Sequence, residues 1–357
     1  MVQKIISDYR VMAINSGIGL LYHKGCLYRQ DFSNASKPAF LCDLPLQGIK
    51  KCLVKLRITE RMLRIEPRVA IALDKQEFLL SCAGKIFRIN ISNGRLVEEF
   101  KFREGMNNPL SFTKLGDGSI LFGEYFSNNR HESVRIIQRR GQDWSCVYTF
   151  PPNTVYHIHG IVADNDRVYV LTGDSDSESA IWYTGNHFKT LEKIVGGKQE
   201  YRACVAFPYK EGLVYATDTP LESNYLYYLH NTCGVWETKI LYEMPGPCIY
   251  GTCRKNAYYF ATSVEPDARL EDTLRYNFTY KLGQGVKDRY SHIIRLEKDG
   301  EISEVCKLQK DVWPMLLMQF GNCQFPDTDN EEVLVAPISV KKYDGKTFRI
   351  GGIIQNE

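Results

Sequence analysis

The chain repeats a unit of about 45 residues, and this repeat constrains the fold more than any other feature of the sequence. Each unit contains four runs of five to eight residues rich in Val, Ile, Tyr and Phe, separated by Gly, Asn or Asp. Such runs and separators are typical of strands and turns. The units begin near Arg68, Pro109, His157, Arg202 and Tyr250, at intervals of 41, 48, 45 and 48 residues. Four-stranded units of this length predict the blades of a β-propeller, whose radial repetition exposes only short strand edges.

Two further stretches complete the blade count. A unit begins near Gln319, after an inserted loop at about residues 266–289, and the N-terminal residues supply strands for a seventh sheet. We expect the last residues of the chain to complete that sheet. The sequence therefore predicts one all-β domain over residues 1–357, a propeller of four-stranded blades with seven blades, or six as the alternative. Residues 46–63 are the only stretch with helix-like spacing, and they form either a helix or a long connection.

Composition excludes several classes of protein. The formal charge of +3 is nearly balanced, and the longest basic runs are pairs, so no nucleic-acid partner is predicted. The N-terminus has no apolar signal region, and no run of about 18 apolar residues indicates a membrane span. Eleven scattered cysteines without a CxxC motif favour reduced thiols over a disulfide framework. We therefore expect a cytoplasmic protein.

An acid recurs at one position of the repeat. In an antiparallel blade the start of the innermost strand lies beside the end of the second strand, so both positions emerge on one face near the central channel. The second-strand end carries an acid in four successive units, at intervals of 50, 44 and 47 residues. Asp supports turns, but Glu does so poorly, so we interpret the acids as a functional rim, with turn formation as the alternative. They are Glu124, Asp174, Asp218 and Glu265.

Two histidines occupy the matching position of the middle unit. His157 and His159 lie on one side of a strand, because side chains alternate with a period of two. An imidazole there suits a general base or a hydrogen bond to a polyhydroxylated ligand. A divalent metal held by both histidines and Asp174 is an alternative that lacks a third spaced histidine, and packing within the sheet is another. No cofactor is therefore predicted.

Five other residues are candidate substrate-binding groups, four at starts of innermost strands and one in the loop after a second strand. Arg202 and Arg68 are suited to clamp a carboxylate, which a guanidinium binds through two parallel hydrogen bonds. A surface ion pair is the alternative for Arg202. The remaining candidates are Tyr250, Gln319 and Asn224.

Three turns between third and fourth strands resemble a known motif. The segments IQRRGQDWSCVY, IWYTGNHFKTLEKI and YLHNTCGVWETKIL resemble shortened Asp-box turns (S-x-D-x-G-x-T-W) of sialidase/BNR-type propellers, with the Asp replaced or absent. The resemblance implies a propeller fold and a function directed at glycans. It does not identify the arginine triad or the Tyr/Glu pair of sialidases.

These observations predict a glycan-active enzyme, a hydrolase or a lyase, that acts on an acidic saccharide at the channel mouth. The four acids and the two histidines are the candidate proton-transfer groups. Two of the carboxylates would flank the glycosidic bond in a hydrolase. The alternative is a non-catalytic propeller that binds a protein or a saccharide, since one fold hosts both functions. The loop at 266–289 is then a lid or an arm that docks a protein partner.

Overall fold

Seven separate β-sheets make up the structure, a computed structural model that describes residues 3–34, 36–254, 257–269 and 273–351. Six of these sheets have four strands, and one has a short fifth strand at its edge. The protein is an all-β, seven-bladed propeller of four-stranded blades. This confirms the predicted fold class and decides for seven blades over six.

The strands follow the predicted runs closely. In chain order they are β1 (Gln3–Ser7), β2 (Arg10–Asn15), β3 (Ile18–His23), β4 (Cys26–Asp31), β5 (Ala39–Asp43), β6 (Val69–Ala72), β7 (Glu77–Cys82), β8 (Lys85–Asn90), β9 (Leu96–Lys101), β10 (Thr113–Lys114), β11 (Ile120–Gly123), β12 (Val134–Arg140), β13 (Asp143–Phe150), β14 (His157–Asp164) and β15 (Arg167–Gly173). They continue with β16 (Ala180–Thr184), β17 (Glu192–Gly196), β18 (Ala203–Tyr209), β19 (Gly212–Thr217), β20 (Asn224–Thr232), β21 (Val235–Met244), β22 (Cys248–Arg254), β23 (Ala257–Thr262), β24 (Tyr290–Glu297), β25 (Ile302–Gln309), β26 (Asn322–Gln324), β27 (Asp327–Thr328), β28 (Val333–Ile338) and β29 (Thr347–Ile350).

The sheets follow the order of the chain. Five of them are β6 to β9, β10 to β13, β14 to β17, β18 to β21 and β22 to β25, each in sequence order. The N-terminal sheet has the order β27-β2-β3-β4-β5, and the C-terminal one has the order β1-β29-β28-β26. The predicted unit starts at His157 and Arg202 fall within one residue of β14 and β18.

The two ends of the chain meet in a way that differs from the expectation. The N-terminal sheet is complete without the last residues of the chain, and residues 352–357 lie outside the described part. Instead β1, which precedes β2 in the chain, pairs antiparallel with β29 of the C-terminal sheet, with Ile5 opposite Phe348. Thr347 Oγ1 reinforces this junction by accepting from Val11 N at 2.8 Å. The N-terminal strand thus supplies the outermost strand of the C-terminal sheet.

Burial explains why the second strands read as continuous apolar runs. All four residues of β11 and all six of β19 are buried, because these strands are covered on both faces. The outermost strands β13 and β21 mix exposed and half-buried residues. A polar residue that directly follows a second strand therefore stands at the edge of a packed core.

Helix is sparse in the described residues. The predicted helical stretch forms two short helices, α1 (Lys50–Leu53) and α2 (Arg57–Met62), rather than one. The inserted loop contains α3 (Thr273–Phe278), and α4 (Met315–Met318) precedes β26, while Gln199–Tyr201 form one 3₁₀ turn. No helix of the described chain is long and apolar enough to cross a membrane. All eleven cysteines lie in the described ranges as free thiols.

Contacts divide the chain into two compact units. The first comprises the described residues of 1–101, 252–283 and 288–357, and the second comprises 102–251 and 284–287. In the second unit, apolar side chains from consecutive blades form two core clusters, one around Phe150 and Trp182 and one around Tyr169 and Tyr215. This unit carries the histidine pair.

Candidate functional site

A β-bulge brings the two histidines together at the start of β14. His157 pairs with Gly173 and Ile158 with Thr172, but Gly160 then pairs with Leu171, so His159 is the extra residue. Both histidines are buried. Their Nε2 atoms lie 2.8 Å apart. The innermost strand of this blade therefore presents two imidazole nitrogens at one point.

Asp174 and Arg202 complete the cluster. Asp174 follows β15 directly, and its carboxylate oxygens lie 3.5 Å from His157 Nε2 and 3.2 Å from His159 Nε2. Arg202 follows the 3₁₀ turn before β18. Its Nη2 lies 3.0 Å from Asp174 Oδ1, and its Nη1 donates to the Asp174 carbonyl at 3.0 Å. The structure thus brings together four of the predicted site residues.

The outer nitrogens of the rings determine which tautomers are present. His157 Nδ1 lies 3.0 Å from the Phe126 carbonyl oxygen, and His159 Nδ1 lies 3.2 Å from that of Ala203. A carbonyl oxygen only accepts, so both Nδ1 atoms carry the proton. Two neutral rings would then direct lone pairs at each other and at the Asp174 carboxylate. Such an arrangement is favourable only when a proton or a metal cation lies between these atoms.

Electrostatics disfavour a proton on His159. Burial lowers the pKa of His159 to about 4, although the hydrogen bond with Asp174 opposes this. Burial alone would raise the pKa of Asp174, but its contacts with both histidines and the Arg202 charge hold that pKa well below its usual range. Near neutral pH the site therefore has an ionised carboxylate beside a neutral His159.

This donor set fits a divalent metal ion. One ligand atom from each of His157, His159 and Asp174 lies within 4.8 Å of the other two. Metal-bound histidines usually donate a hydrogen bond from their other ring N–H to a carboxylate, a backbone carbonyl or water, and both rings here face a backbone carbonyl. Three protein ligands leave coordination positions open, as in catalytic sites. The predicted absence of a cofactor is thus less well supported by the geometry than the metal alternative.

Asp218 and Cys204 form a second group beside His159. Cys204 Sγ donates to Asp218 Oδ2 at 3.1 Å. Burial, with the Asp218 charge, raises the pKa of the Cys204 thiol well above its ordinary value. A protonated thiol is a poor metal ligand. Asp218 therefore lies next to the site, and its carboxylate is engaged by a thiol.

Three other candidates in the second unit have different surroundings. Glu124 is buried and forms ion pairs of 2.7 Å with Arg103 and Arg135, which is a structural arrangement. Asn224 is fully buried. Its Nδ2 donates to the carbonyls of Thr219, Glu222 and Gly285. Its Oδ1 accepts from Thr217 Oγ1 and Thr219 N. Because its amide is used within the protein, Asn224 has no group left for a substrate. Tyr250 is half-buried in β22.

The remaining candidates belong to the first unit. Glu265 is buried three residues beyond β23 and accepts from Ser263 Oγ at 2.5 Å. Gln319 donates from Nε2 to the Arg61 carbonyl at 2.6 Å. Glu265 and Gln319 both line a small cavity of about 30 Å³. Arg68 is half-buried, and its carbonyl accepts from Arg10 Nη2 at 3.3 Å.

Two tyrosines next to the histidines were not predicted. The Tyr125 ring lies 4.3 Å from the His157 ring, and the Tyr156 ring lies 5.0 Å from it, both between centroids. The Tyr156 hydroxyl donates to Asn129 Oδ1 at 2.7 Å. Both directly adjoin predicted residues in the sequence, since Tyr125 follows Glu124 and Tyr156 precedes His157. Their positions in the repeat were the signal that could have identified them.

Comparison with solved structures supports the fold. Oligogalacturonate lyase from Vibrio parahaemolyticus aligns with a TM-score of 0.57 at 11% identity, over 99% of this chain and 91% of the lyase. An oligogalacturonate lyase in complex with manganese aligns with a TM-score of 0.57 at 10% identity, over 98% of this chain and 91% of that chain. The chain is therefore a β-propeller similar in fold, at low identity, to a lyase of acidic saccharides.

Sequence comparisons add no family. No protein-family model matches the chain, and no curated protein matches it either. The comparisons thus do not support the resemblance to sialidase/BNR-type turns.

A hairpin explains the glycine at one of these turns. Thr232 pairs with Val235 across a two-residue turn in which Cys233 and Gly234 both have positive φ, and such turns favour glycine in any family.

Proposed function

We propose that this protein is a carbohydrate-active lyase that cleaves an acidic saccharide at the His157–His159–Asp174 cluster with the help of a divalent metal. The observation that carries the proposal is the convergence of two histidine Nε2 atoms on one carboxylate, with both Nδ1 atoms bonded to carbonyls. A similar fold in oligogalacturonate lyase, one structure of which holds manganese, supports the choice of substrate class and of Mn²⁺ as the first metal to test.

Elimination suits this cluster better than hydrolysis. A glycoside hydrolase needs a carboxylic acid that is still protonated near neutral pH to protonate the leaving oxygen. The pKa of Asp174 is held far below its usual range, and Glu124 is committed to two arginines. Elimination instead transfers the proton α to a sugar carboxylate to a water molecule, forms a carbon–carbon double bond and breaks the bond to the leaving sugar oxygen. Neutralising the sugar carboxylate makes that proton more acidic. A bound divalent metal would supply that neutralising charge.

The chain's own residues then have separate roles. His157, His159 and Asp174 hold the metal, and Arg202 fixes the Asp174 carboxylate through its side chain and its carbonyl. Tyr156 packs against His157, and burial together with the Asp174 charge raises its pKa. Tyr156 therefore keeps its proton at neutral pH and is the candidate acid for the leaving sugar oxygen.

Metal binding is tested directly, without any substrate. Calorimetric titration with Mn²⁺ and Zn²⁺, and the visible absorption of the Co²⁺ form, should show one site per chain. His159→Gln should weaken binding at least tenfold, while His187→Asn, at an exposed position, should not change it. Equal affinities of the wild type and the His159→Gln variant would exclude this cluster as the metal site.

Activity is tested with a panel of uronate-containing oligosaccharides. Elimination creates a conjugated double bond in the product, so turnover is followed by ultraviolet absorbance. Chelation should abolish turnover and added metal should restore it, while Tyr156→Phe should lower kcat more than it changes KM. A metal-loaded protein that yields saturated products, or that turns over no acidic saccharide, would contradict the lyase proposal.

Partner binding is the second candidate function, favoured by exposed apolar side chains in the first unit. The inserted loop and the segment around α4 expose Leu274, Phe278, Tyr280, Val312, Trp313 and Leu316. The two segments are in contact, since Tyr280 Oη donates to the Val312 carbonyl at 3.2 Å. Grouped exposed aromatics are typical of protein-binding surfaces. Residues 270–272 of the predicted docking loop lie outside the described part of the chain.

A double variant tests that surface. The double variant Phe278→Ser, Trp313→Ser should leave metal binding and turnover intact. It should no longer co-purify with a protein partner that accompanies the wild type at a fixed molar ratio. Partner retention by this variant would count against the surface.

A further inference from the structure

A cavity of about 280 Å³ in the second unit adjoins the segment that follows Asp174. Its size is close to the lower end of small-molecule pockets, about 300 Å³. The lining includes Asp176, Gln199, Glu200, Glu222, Tyr225 and Tyr227. None of these residues belongs to the histidine cluster.

Gln199 gives the cavity a buried acceptor. The side chain is 4% exposed, and its Nε2 donates to the Asp174 carbonyl at 3.0 Å and to Asp176 Oδ1 at 2.8 Å. These two bonds fix the orientation of the amide. Its Oε1 is buried and accepts no hydrogen bond from the described protein atoms. A buried acceptor without a donor is unfavourable, so a ligand that donates a hydrogen bond there would gain affinity.

The charges of the lining select against a carboxylate. Asp176, Glu200 and Glu222 carry three negative charges, against one positive charge on Lys198. Carboxylate oxygens only accept hydrogen bonds, so the cavity is rich in acceptors. An acidic sugar residue would be repelled here, whereas hydroxyl or amide N–H groups would find partners.

The tyrosines provide an apolar wall. The Tyr225 and Tyr227 rings lie 5.8 Å apart at 59°. Tyrosine combines an apolar ring face with a hydroxyl, which suits a sugar that has both C–H faces and hydroxyls.

The same two chain segments build the cavity and the histidine cluster. Asp174 contacts the histidines, whereas Asp176 lines the cavity. Two residues of extended chain span at most about 7 Å. Gln199 lines the cavity, and Arg202, which directly follows the 3₁₀ turn that Gln199 begins, bonds Asp174. A saccharide bound at the cluster would therefore reach the cavity with an adjacent residue.

We infer that this cavity binds an uncharged, hydroxyl-rich sugar residue next to the acidic residue that is cleaved. The substrate is then a saccharide in which acidic and uncharged residues alternate, rather than a polymer of uronates alone. The inference rests on the proposed function for the acidic residue, while binding of the uncharged residue is measurable by itself.

The first experiment compares turnover of two oligosaccharides of equal length. One alternates uronate with a neutral or N-acetylated hexose, and the other contains only uronate. The wild type should prefer the alternating one. Glu222→Lys reverses one charge of the lining at an exposed position and should shift the ratio of kcat/KM values about tenfold toward the uronate polymer. Glu211→Lys, an equally exposed change outside the cavity, should leave the ratio unchanged.

The second experiment measures binding without turnover. Saturation-transfer NMR with a neutral oligosaccharide should show contact in the wild type. Ser223→Trp, which fills the cavity from an exposed position, should remove it, while Ser177→Trp, an exposed change outside the lining, should not. Metal binding should persist in both variants and thus report that they fold.

The outcomes separate the two proposals. If the wild type prefers the uronate polymer, and Glu222→Lys does not change the ratio of kcat/KM values for the two oligosaccharides, the cavity inference is overturned and the lyase proposal stands. If no oligosaccharide is turned over, but the neutral saccharide contacts the wild type and only Ser223→Trp removes that contact, the lyase proposal is overturned. The cavity is then retained as a sugar site. Neutral-saccharide contact that survives Ser223→Trp, or is missing in the wild type, overturns the cavity inference.

Discussion

Acid should destabilise the metal-free protein through His159 in a narrow pH window. The ring is buried, and burial lowers its pKa from 6.5 to about 4. Between these values the imidazole carries a proton in the unfolded chain but not in the folded one. Protons therefore drive unfolding as the pH falls through this window, and the loss is complete once both states are protonated near pH 4.

The size of the effect follows from the shift. Each pKa unit corresponds to about 1.4 kcal/mol, so the shift of His159 predicts a loss of about 3 kcal/mol of unfolding free energy across the window. This is a large part of the 5–15 kcal/mol that is typical of a folded domain. Asp174 acts in the same direction at lower pH, because its folded pKa is also depressed.

The assay is urea unfolding of wild type and His159→Gln at pH 7, 6, 5 and 4, with a chelator present. The difference between the two free energies isolates His159, because all other acid-sensitive groups contribute to both proteins. We expect this difference to change by about 3 kcal/mol between pH 7 and pH 4. A flat difference for His159→Gln would refute the buried, neutral state of this ring and the metal argument built on it.

Four further predictions address the site and its frame. Asp174→Asn should weaken metal binding at least tenfold by calorimetry, because it removes the only charged ligand of the set. Gly173→Ala should weaken it similarly in a folded protein, since the added Cβ would lie 2.6 Å from His159 Cε1. Glu124→Gln should lower the free energy of unfolding by about 1–3 kcal/mol, because it weakens the hydrogen-bonded ion pairs of a buried carboxylate with two partly exposed arginines, yet leave metal affinity unchanged. Deleting residues 1–8 should lower the thermal midpoint and promote aggregation in light scattering, because it exposes the edge of β29.

Much of the site could be located from the repeat alone. The period of the strands indicated that an acid at the end of a second strand and a residue at the start of an innermost strand are neighbours. Asp174 and His157 satisfy this rule, since Gly173 and His157 are paired in the sheet. Glu124 satisfies the same rule of position but has a different role. Its two arginine partners come from positions that the repeat does not mark.

The sequence did not favour a metal site at the two histidines, for a similar reason. Two histidines two residues apart are a weak metal motif in a sequence when no third histidine follows at a suitable spacing. The bulge at His159 and the carbonyls of Phe126 and Ala203 orient both rings, and these features depend on strand register and backbone position. Gln199 and the cavity beside it also had no sequence signal, because the unmet acceptor results from two hydrogen bonds made elsewhere on the same amide.

The amino-acid sequence by itself determined the fold class and the positions that meet at the ends of strands, whereas the structure decided between seven blades and six. Hydrophobic periodicity and turn residues act locally, and a repeated local pattern specifies a repeated architecture. Only the tertiary structure decided which polar residues share a site, which are neutralised by structural partners, and which strand completes the C-terminal sheet. Those outcomes depend on distances of a few ångströms between residues far apart in the chain, and burial sets the charge of each group.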